Sequence, residues 1–229
     1  VIVCGHDMHQ SAHDTGYLFF QTYVHPKPPA VIVEIGSAGP HPVLRSFAPA
    51  TSKYIGIDMI EDKNVDIVVS DPYTLPFDDN SVDVIVSSSC FEHSEFFWLL
   101  FNDIVRVLRP GGIFYLNVPS NGNFHRYPVD CWRFYPDSAK ALCNWANRSG
   151  HKPIVLESFT TEQTERDIWN DYIAVFLKSV DYLDSYPNRM VHKISNYTNG
   201  MIYDSNDILQ YHEYSEDVRR IHQGYKSKS

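Results

Sequence analysis

Apolar residues along the chain fall into two alternating rhythms. Continuous β-branched runs, read as buried strands, are separated by stretches whose apolar residues recur every three or four positions, read as helices. VIVEI (Val31 to Ile35) is the first such run, with Glu34 near its carboxyl end. The chain then turns through Gly36, Ser37, Ala38 and Gly39, and after Pro40 and Pro42 the apolar stripe Val43, Leu44 and Phe47 predicts a short helix. KYIGID (Lys53 to Asp58) predicts a second strand, VDIVVS from Val65 a third, VDVIVSSSC (Val82 to Cys90) a fourth and IFYLNVP a fifth. Between the last two, Phe97, Leu100, Phe101, Ile104, Val105 and Leu108 mark a long amphipathic helix, which RPGG (Arg109 to Gly112) is expected to stop. A helix from Pro136 to about Ser149, a sixth strand in HKPIVLES and a seventh around Ile173 to Lys178 complete the pattern, with Asp137 or Ser138 able to cap the helix.

Strands alternating with helices at this spacing predict a mostly parallel, doubly wound sheet with helices on both faces. The expected organisation is a helical or lid-like segment over 1–29, a ligand-binding domain over 30–180 and an extension over 181–229 that forms a lid, a dimer arm or a docked or partly disordered tail. HPKPP (His25 to Pro29) is a stiff connector between the first two.

Composition narrows the function classes. The 229 residues suffice for a full core, and 43% hydrophobic with 21% charged residues is ordinary for a globular chain. A net charge of −9 without a basic stripe argues against nucleic acid as a partner. No apolar run reaches the roughly 18 residues of a membrane span, and the start lacks a secretory pattern. Cys4, Cys90, Cys131 and Cys143 lie far apart, which suits reduced thiols and a cytoplasmic protein. An aromatic share of 14% favours cores and pockets for flat or sugar-like ligands.

Candidate chemistry gathers where the parallel strands end, the edge at which doubly wound sheets bind ligands. The small residues of the Gly36–Gly39 turn let the backbone approach a ligand, and Asp58 stands about 20 residues on, where a carboxylate can accept from ribose hydroxyls. Asp71 ends the third strand. The loop SNGNFHRYPVDCWRFYPDS after the fifth strand carries Asn121, Asn123, His125, Arg126, Tyr127, Asp130, Trp132 and Arg133. His125, oriented by Asp130, is the expected general base, and His93 in FEHS is its competitor. Arg126 or Arg133 can hold a carboxylate or phosphate bidentately, while Tyr127 and Trp132 offer flat apolar faces. His6, His9 and His13, spaced for one helix face, or Asp130 could hold a divalent metal, although a plain polar helix face is the preferred reading of the histidines.

In combination, EIGSAG, GID, SDPYTLPFDDNSVDVIVSSSCFEH and VRVLRPGGIFYLNVPS resemble the class I S-adenosylmethionine-dependent methyltransferases, specifically the methyltransferase type 11, ubiquinone-biosynthesis-like group. The resemblance covers about residues 30 to 160 and implies a three-layer Rossmann-like fold with a seven-stranded sheet whose last strand is antiparallel. The glycine turn departs from the family's E/D-x-G-x-G-x-G, with Ala38 and Pro40 at the second and third glycine positions.

By this resemblance Glu34, Gly36, Ser37, Ala38 and Gly39 border the methionine part of S-adenosyl-L-methionine, and Asp58 accepts from both ribose hydroxyls. Met59 packs by the adenine, Asp71 meets its amino group and Pro72 its face. Ser88 to His93 floor the space between cofactor and acceptor, and Asn123, Arg126, Tyr127, Trp132 and Arg133 meet the acceptor. The activity implied is O-methylation of a small polar molecule, such as a saccharide or secondary metabolite, with S-adenosyl-L-homocysteine as product. A homodimer is compatible with this reading. SSSCF stands where base- or amide-methylating members carry an N-P-P-Y-type tetrapeptide. The alternatives are a nicotinamide-dependent Rossmann oxidoreductase, which leaves LPF and LRPGG without a role, and a non-catalytic binding protein on the same fold.

Overall fold

A computed structural model describes residues 10–39, 43–163 and 169–215. Its centre is one eight-stranded sheet, built from β1 (Val31–Ile35), β2 (Lys53–Asp58), β3 (Ile67–Val68), β4 (Val82–Ser88), β5 (Leu108–Pro119), β6 (Ile154–Thr161), β7 (Asp171–Leu177) and β8 (Tyr197–Ile202). The order across the sheet is β3-β2-β1-β4-β5-β7-β6-β8. β1 pairs in parallel with β2 and β4, and β4 with β5, whereas β7 runs antiparallel to both β5 and β6. The α/β class, the mostly parallel sheet and the antiparallel seventh strand are as expected. The count is one higher, because β8 adds an antiparallel strand to the outer edge of β6.

Both faces of the sheet are covered, which is why its central strands read as unbroken apolar runs. Ile32 and Val33 are each fully buried, but on opposite faces, in two separate apolar clusters. One face carries α1 (Gln10–Phe19), a wider helical turn at Phe20–Val24 and the short α2 (Val43–Ser46), with Phe19, Phe20 and Leu44 against Tyr115 and Val175. The other carries α3 (Phe97–Val107) and α4 (Ser138–Arg148), with Phe101, Ile104 and Leu142 against Phe114 and Phe176.

Three local readings change. RPGG does not sit beyond a helix stop as a free turn: α3 ends at Val107 and Arg109 to Gly112 already belong to β5. The two glycines admit close neighbours there, since a Cβ on Gly112 would stand 3.0 Å from Asp83 O and one on Gly111 2.7 Å from the Tyr182 ring. The third strand shrinks to Ile67–Val68, an edge piece with β2 as its single neighbour. At the start of α4, Asp137 makes no side-chain cap; Ser138 Oγ accepts instead from the Tyr135 N–H at 3.0 Å.

Candidate active site

The parallel strands converge on one edge, and the turn after β1 folds tightly against it. Gly36 N–H and Ser37 N–H both donate to Ile57 O of β2. Gly36 adopts φ +81°, and a Cβ there would stand 2.7 Å from Cys90 Cβ, so the loop after β4 lies directly over the turn. Asp58, at the tip of β2, ties the arrangement down: Oδ2 accepts from Ala38 N–H at 3.0 Å and Oδ1 from Met59 N–H at 2.7 Å. Glu34 is buried and accepts from the Tyr54 hydroxyl at 2.9 Å. Burial pushes its carboxyl up to about 7, with the Asp58 carboxylate adding to the rise and Tyr54 and Arg45 opposing it.

Further along the edge the expected adenine-side residues are open to solvent. Met59 is 55% exposed, beside exposed Ile60. Asp71 is exposed, and its carboxylate is taken up by its own turn, accepting from Tyr73 N–H at 2.9 Å and Thr74 Oγ at 2.8 Å. Those bonds hold the Asp71 pKa below the usual carboxylate range. Pro72 beside it is half-buried. Glu34, Ala38 and Asp58 are thus brought together, and Val69 N–H donates to Asp58 O at 2.8 Å two residues before Asp71, whose own oxygens are engaged in its turn.

The second half of the edge is polar and enclosed. Ser37 Oγ, Ser88 Oγ, Glu92 Oε2, Ser94 Oγ and Asn117 Oδ1 are buried without a hydrogen-bond partner among the described residues. They belong to the turn after β1, to the last residue of β4 and the segment that follows it, and to the end of β5. Unsatisfied buried oxygens cost about 1–3 kcal/mol each, and grouped at one sheet edge they mark a place built for a ligand's donors. α1 closes the far side: Ser11 Oγ donates to Asp171 Oδ2 at 2.6 Å, and Thr15 Oγ lies 3.1 Å from the Tyr115 hydroxyl and 3.3 Å from Asn117 Nδ2.

The loop after β5 assembles around Asp130. Its carboxylate takes a forked pair from Arg133, at 2.6 and 2.9 Å, and accepts from His125 N–H at 2.7 Å. These partners outweigh its burial and hold its pKa down at about 2. Arg133 also donates to Asn123 O at 2.9 Å, so Arg133 and Asn123 brace the loop. His125 meets His93 edge to face, with ring centroids 4.9 Å apart, and Tyr127 and Trp169 flank the pair. Burial lowers the His93 pKa, and its Nδ1 donates to Val129 O. Glu92, wholly buried next to it, has its pKa pushed up to about 8 by burial. Arg126 is exposed at the rim. Trp132 takes another direction, packing on Phe97 and Trp98 of α3 and donating Nε1–H to Ser94 O at 3.0 Å.

Sequence reasoning missed Asn117, Asp171 and Ser11, and included Glu92 only within the Ser88 to His93 floor without singling it out. Asn117 had a signal, as the one polar residue inside IFYLNVP. Glu92 had none of its own, because what singles it out is burial. Of the histidines considered as a separate metal site, His6 and His9 lie outside the described residues, and His13 is half-exposed beside Asp14 on α1.

An open α/β sheet of order 3-2-1-4-5-7-6, with a small-residue turn after its first strand and an acid at the tip of its second, defines the Rossmann-like methyltransferase fold. Residues 34–116 match the family model described as a methyltransferase domain, which supports the resemblance to the class I S-adenosylmethionine-dependent methyltransferases. An uncharacterized methyltransferase of Mycobacteroides abscessus is 28% identical over 137 residues, 53% of this chain and 52% of that protein. A phthiotriol/phenolphthiotriol dimycocerosates methyltransferase of Mycobacterium tuberculosis is 30% identical over 118 residues, 50% of this chain and 40% of that protein. The chain therefore spans about half the length, or less, of these relatives.

Among solved structures, the 1,6-didemethyltoxoflavin-N1-methyltransferase of Burkholderia thailandensis, with S-adenosylhomocysteine bound, superposes with a TM-score of 0.55 at 15% identity, over 74% of this chain and 79% of that one. The [4+2]-cyclase SpnF gives 0.56 at 15% identity, over 75% and 82%. These two likenesses establish the fold, and their differing chemistries show that the fold does not by itself assign a reaction.

Proposed function

We propose that this protein transfers the methyl group of S-adenosyl-L-methionine to a hydroxyl of a small polar acceptor, a saccharide or secondary metabolite, releasing S-adenosyl-L-homocysteine. The observation that carries the proposal is the row of buried, unpartnered oxygens from Ser37 through Ser88 to Asn117 and Glu92. A cofactor and acceptor rich in O–H and N–H groups supply the donors that these oxygens lack. In this reading Glu34 and the Gly36–Gly39 turn face the methionine end, and Asp58 keeps lone pairs for the ribose. Met59, Asp71 and Pro72 line the open adenine side, and Ser88 lies beneath the sulfonium.

Methyl transfer is an in-line displacement. The acceptor oxygen forms a bond to the methyl carbon, the carbon–sulfur pair returns to sulfur, and the hydroxyl proton leaves. Most of the catalysis is alignment and exclusion of water. His125 or His93 takes the proton, with Asp130 fixing the His125 ring. Asn123, Arg126, Tyr127 and Arg133 hold or frame the acceptor; Trp132 supports the loop from the α3 side. The acidic surface charge favours a small molecule over nucleic acid, and a homodimer and a cytoplasmic location complete the proposal.

The test is calorimetric titration with S-adenosyl-L-homocysteine and with NAD, followed by a metabolite extract incubated with labelled methyl donor and analysed by mass. Binding of the first ligand and a labelled O-methyl product support the reading. Binding of NAD instead returns the protein to the oxidoreductase alternative, and a product labelled on nitrogen moves the acceptor class.

A further inference from the structure

A single general base needs neither the second imidazole that stands 4.9 Å away, ring centroid to centroid, nor the buried carboxylate of Glu92 beside it. His93 gives Nδ1–H to Val129 O. His125 places Nδ1 at 3.0 Å from Asn123 O and 3.4 Å from Asp130 Oδ2, both nearer than Arg133 Nη2 at 3.5 Å, so its Nδ1 also carries the proton. Each ring is thereby fixed in the tautomer that leaves Nε2 with a free lone pair. An outer N–H bonded to a backbone carbonyl or carboxylate is the usual support for a metal-ligating histidine. The third member is Glu92, with Oε1 at 3.7 Å from His93 Nε2 and Oε2 buried without a partner. One ligand atom from each of Glu92, His93 and His125 lies within 4.8 Å of the others. Two ligand atoms about 2.1 Å from one ion stand roughly 3.4 Å apart in tetrahedral geometry, so side-chain adjustment of about an ångström closes the set.

We propose that Glu92, His93 and His125 form a binding site for one divalent transition-metal ion of the zinc class, with its open coordination position towards the acceptor. Two imidazoles and one carboxylate suit zinc and its first-row neighbours; magnesium and calcium require more oxygen. The site rests on the reading of this edge as the acceptor side of a methyltransferase and deepens it. Coordination lowers the pKa of the acceptor hydroxyl, whose proton passes to water, and the resulting oxygen attacks the methyl carbon while the electron pair of the broken bond stays on sulfur. In that state the histidines serve as ligands and the ion replaces them in activating the hydroxyl.

The test uses tag-free full-length chain, stripped with chelator and titrated with zinc(II), with cobalt(II) as a spectroscopic probe. Wild type is expected to retain about one zinc per chain after gel filtration and to show a ligand-field band with cobalt. Glu92→Gln, His93→Ala and His125→Ala should each weaken zinc binding at least tenfold, with circular dichroism melts confirming the fold. Failure of wild type to retain zinc, or undiminished binding in all three variants, overturns the site. If a variant does not fold, X-ray absorption of the wild-type zinc complex still decides the matter: two imidazole nitrogens and a carboxylate oxygen support the site, and a sulfur ligand or fewer than two imidazoles overturns it. Titration with S-adenosyl-L-homocysteine on the same samples separates the two readings: homocysteine adduct bound without zinc removes the metal site alone, and zinc bound without the adduct removes the methyl-transfer reading alone.

Discussion

Asp58 Oδ2 accepts the Ala38 N–H at 3.0 Å, so the tip of β2 holds closed the small-residue turn that follows β1. The same carboxylate accepts from Met59 N–H at 2.7 Å, and the proposed function adds a second task, acceptance from a ligand's hydroxyls. Asp58→Ala is expected to weaken S-adenosyl-L-homocysteine binding by about 1.5–3 kcal/mol, the range for one to two charge-assisted hydrogen bonds. Calorimetric affinities of wild type and variant check this, and equal values remove Asp58 from the site.

Glu34 predicts a pH effect. Its folded pKa, about 7, lies above the ordinary 4.5, so the folded protein binds this proton more tightly than the unfolded chain does. The contribution of Glu34 to stability is therefore fully present below about pH 4.5 and is lost as pH rises through 7, by about 3 kcal/mol at most. Tyr54 and Arg45 face the carboxyl and limit the loss, and Asp58 increases it. Glu34→Gln should flatten the fall in melting temperature between pH 5 and pH 8. A variant with the same slope as wild type assigns the effect to another group. A cationic sulfonium favours the ionised form, so the affinity for S-adenosyl-L-methionine relative to its uncharged-sulfur product should rise over the same window.

The central strands and the long helix were legible in the residues because each expresses one rule without competition. VIVEI and VDVIVSS are β-branched runs buried on both faces, KYIGID buries its central Ile55 to Ile57, and Phe97 to Val107 carries its apolar residues at helical steps. The readings that changed depend on tertiary neighbours. RPGG joins β5 because a register shift between Val82 and Val84 accommodates it beside β4. β8 was hidden because YTNGMI is half polar and becomes a strand only by pairing with the exposed edge of β6. Asp58, His93 and His125 could be singled out by position in a motif or loop. Glu92 and Asp171 could not, since their chemistry arises from being buried among groups distant in the chain.

The Asp130–Arg133 fork predicts the mechanical role of the loop after β5. The Asp130 side chain is 2% exposed and that of Arg133 23%, so removing the acid leaves a largely enclosed guanidinium with its best partner gone. Asp130→Ala is expected to destabilise the protein by about 3 kcal/mol, and Arg133→Ala by a similar amount. In urea titrations the double variant should lie well short of the sum, and a fully additive pair would show that the two side chains do not act together. The low pKa of Asp130 gives the sign with acid: its contribution is present above the ordinary carboxylate range and disappears as pH falls through about 2.

His125→Ala separates chemistry from binding. The ring bonds through Nδ1 to Asn123 O at 3.0 Å, lies 3.4 Å from Asp130 Oδ2 and meets edge to face the ring of His93, the other candidate proton acceptor. If His125 activates the acceptor, directly or through a bound ion, turnover should drop by roughly a hundredfold or more. Cofactor affinity should change little, because the proposed function gives the cofactor to Asp58 and the Gly36–Gly39 turn and not to His125. His93→Ala should then cost less than His125→Ala if proton transfer alone is at stake. Equal losses indicate that the two rings act as one unit, as ligands of a common ion would. Single-turnover rates with labelled cofactor make the comparison. A His125→Ala protein that turns over at the wild-type rate assigns activation of the acceptor to His93 or to no side chain at all.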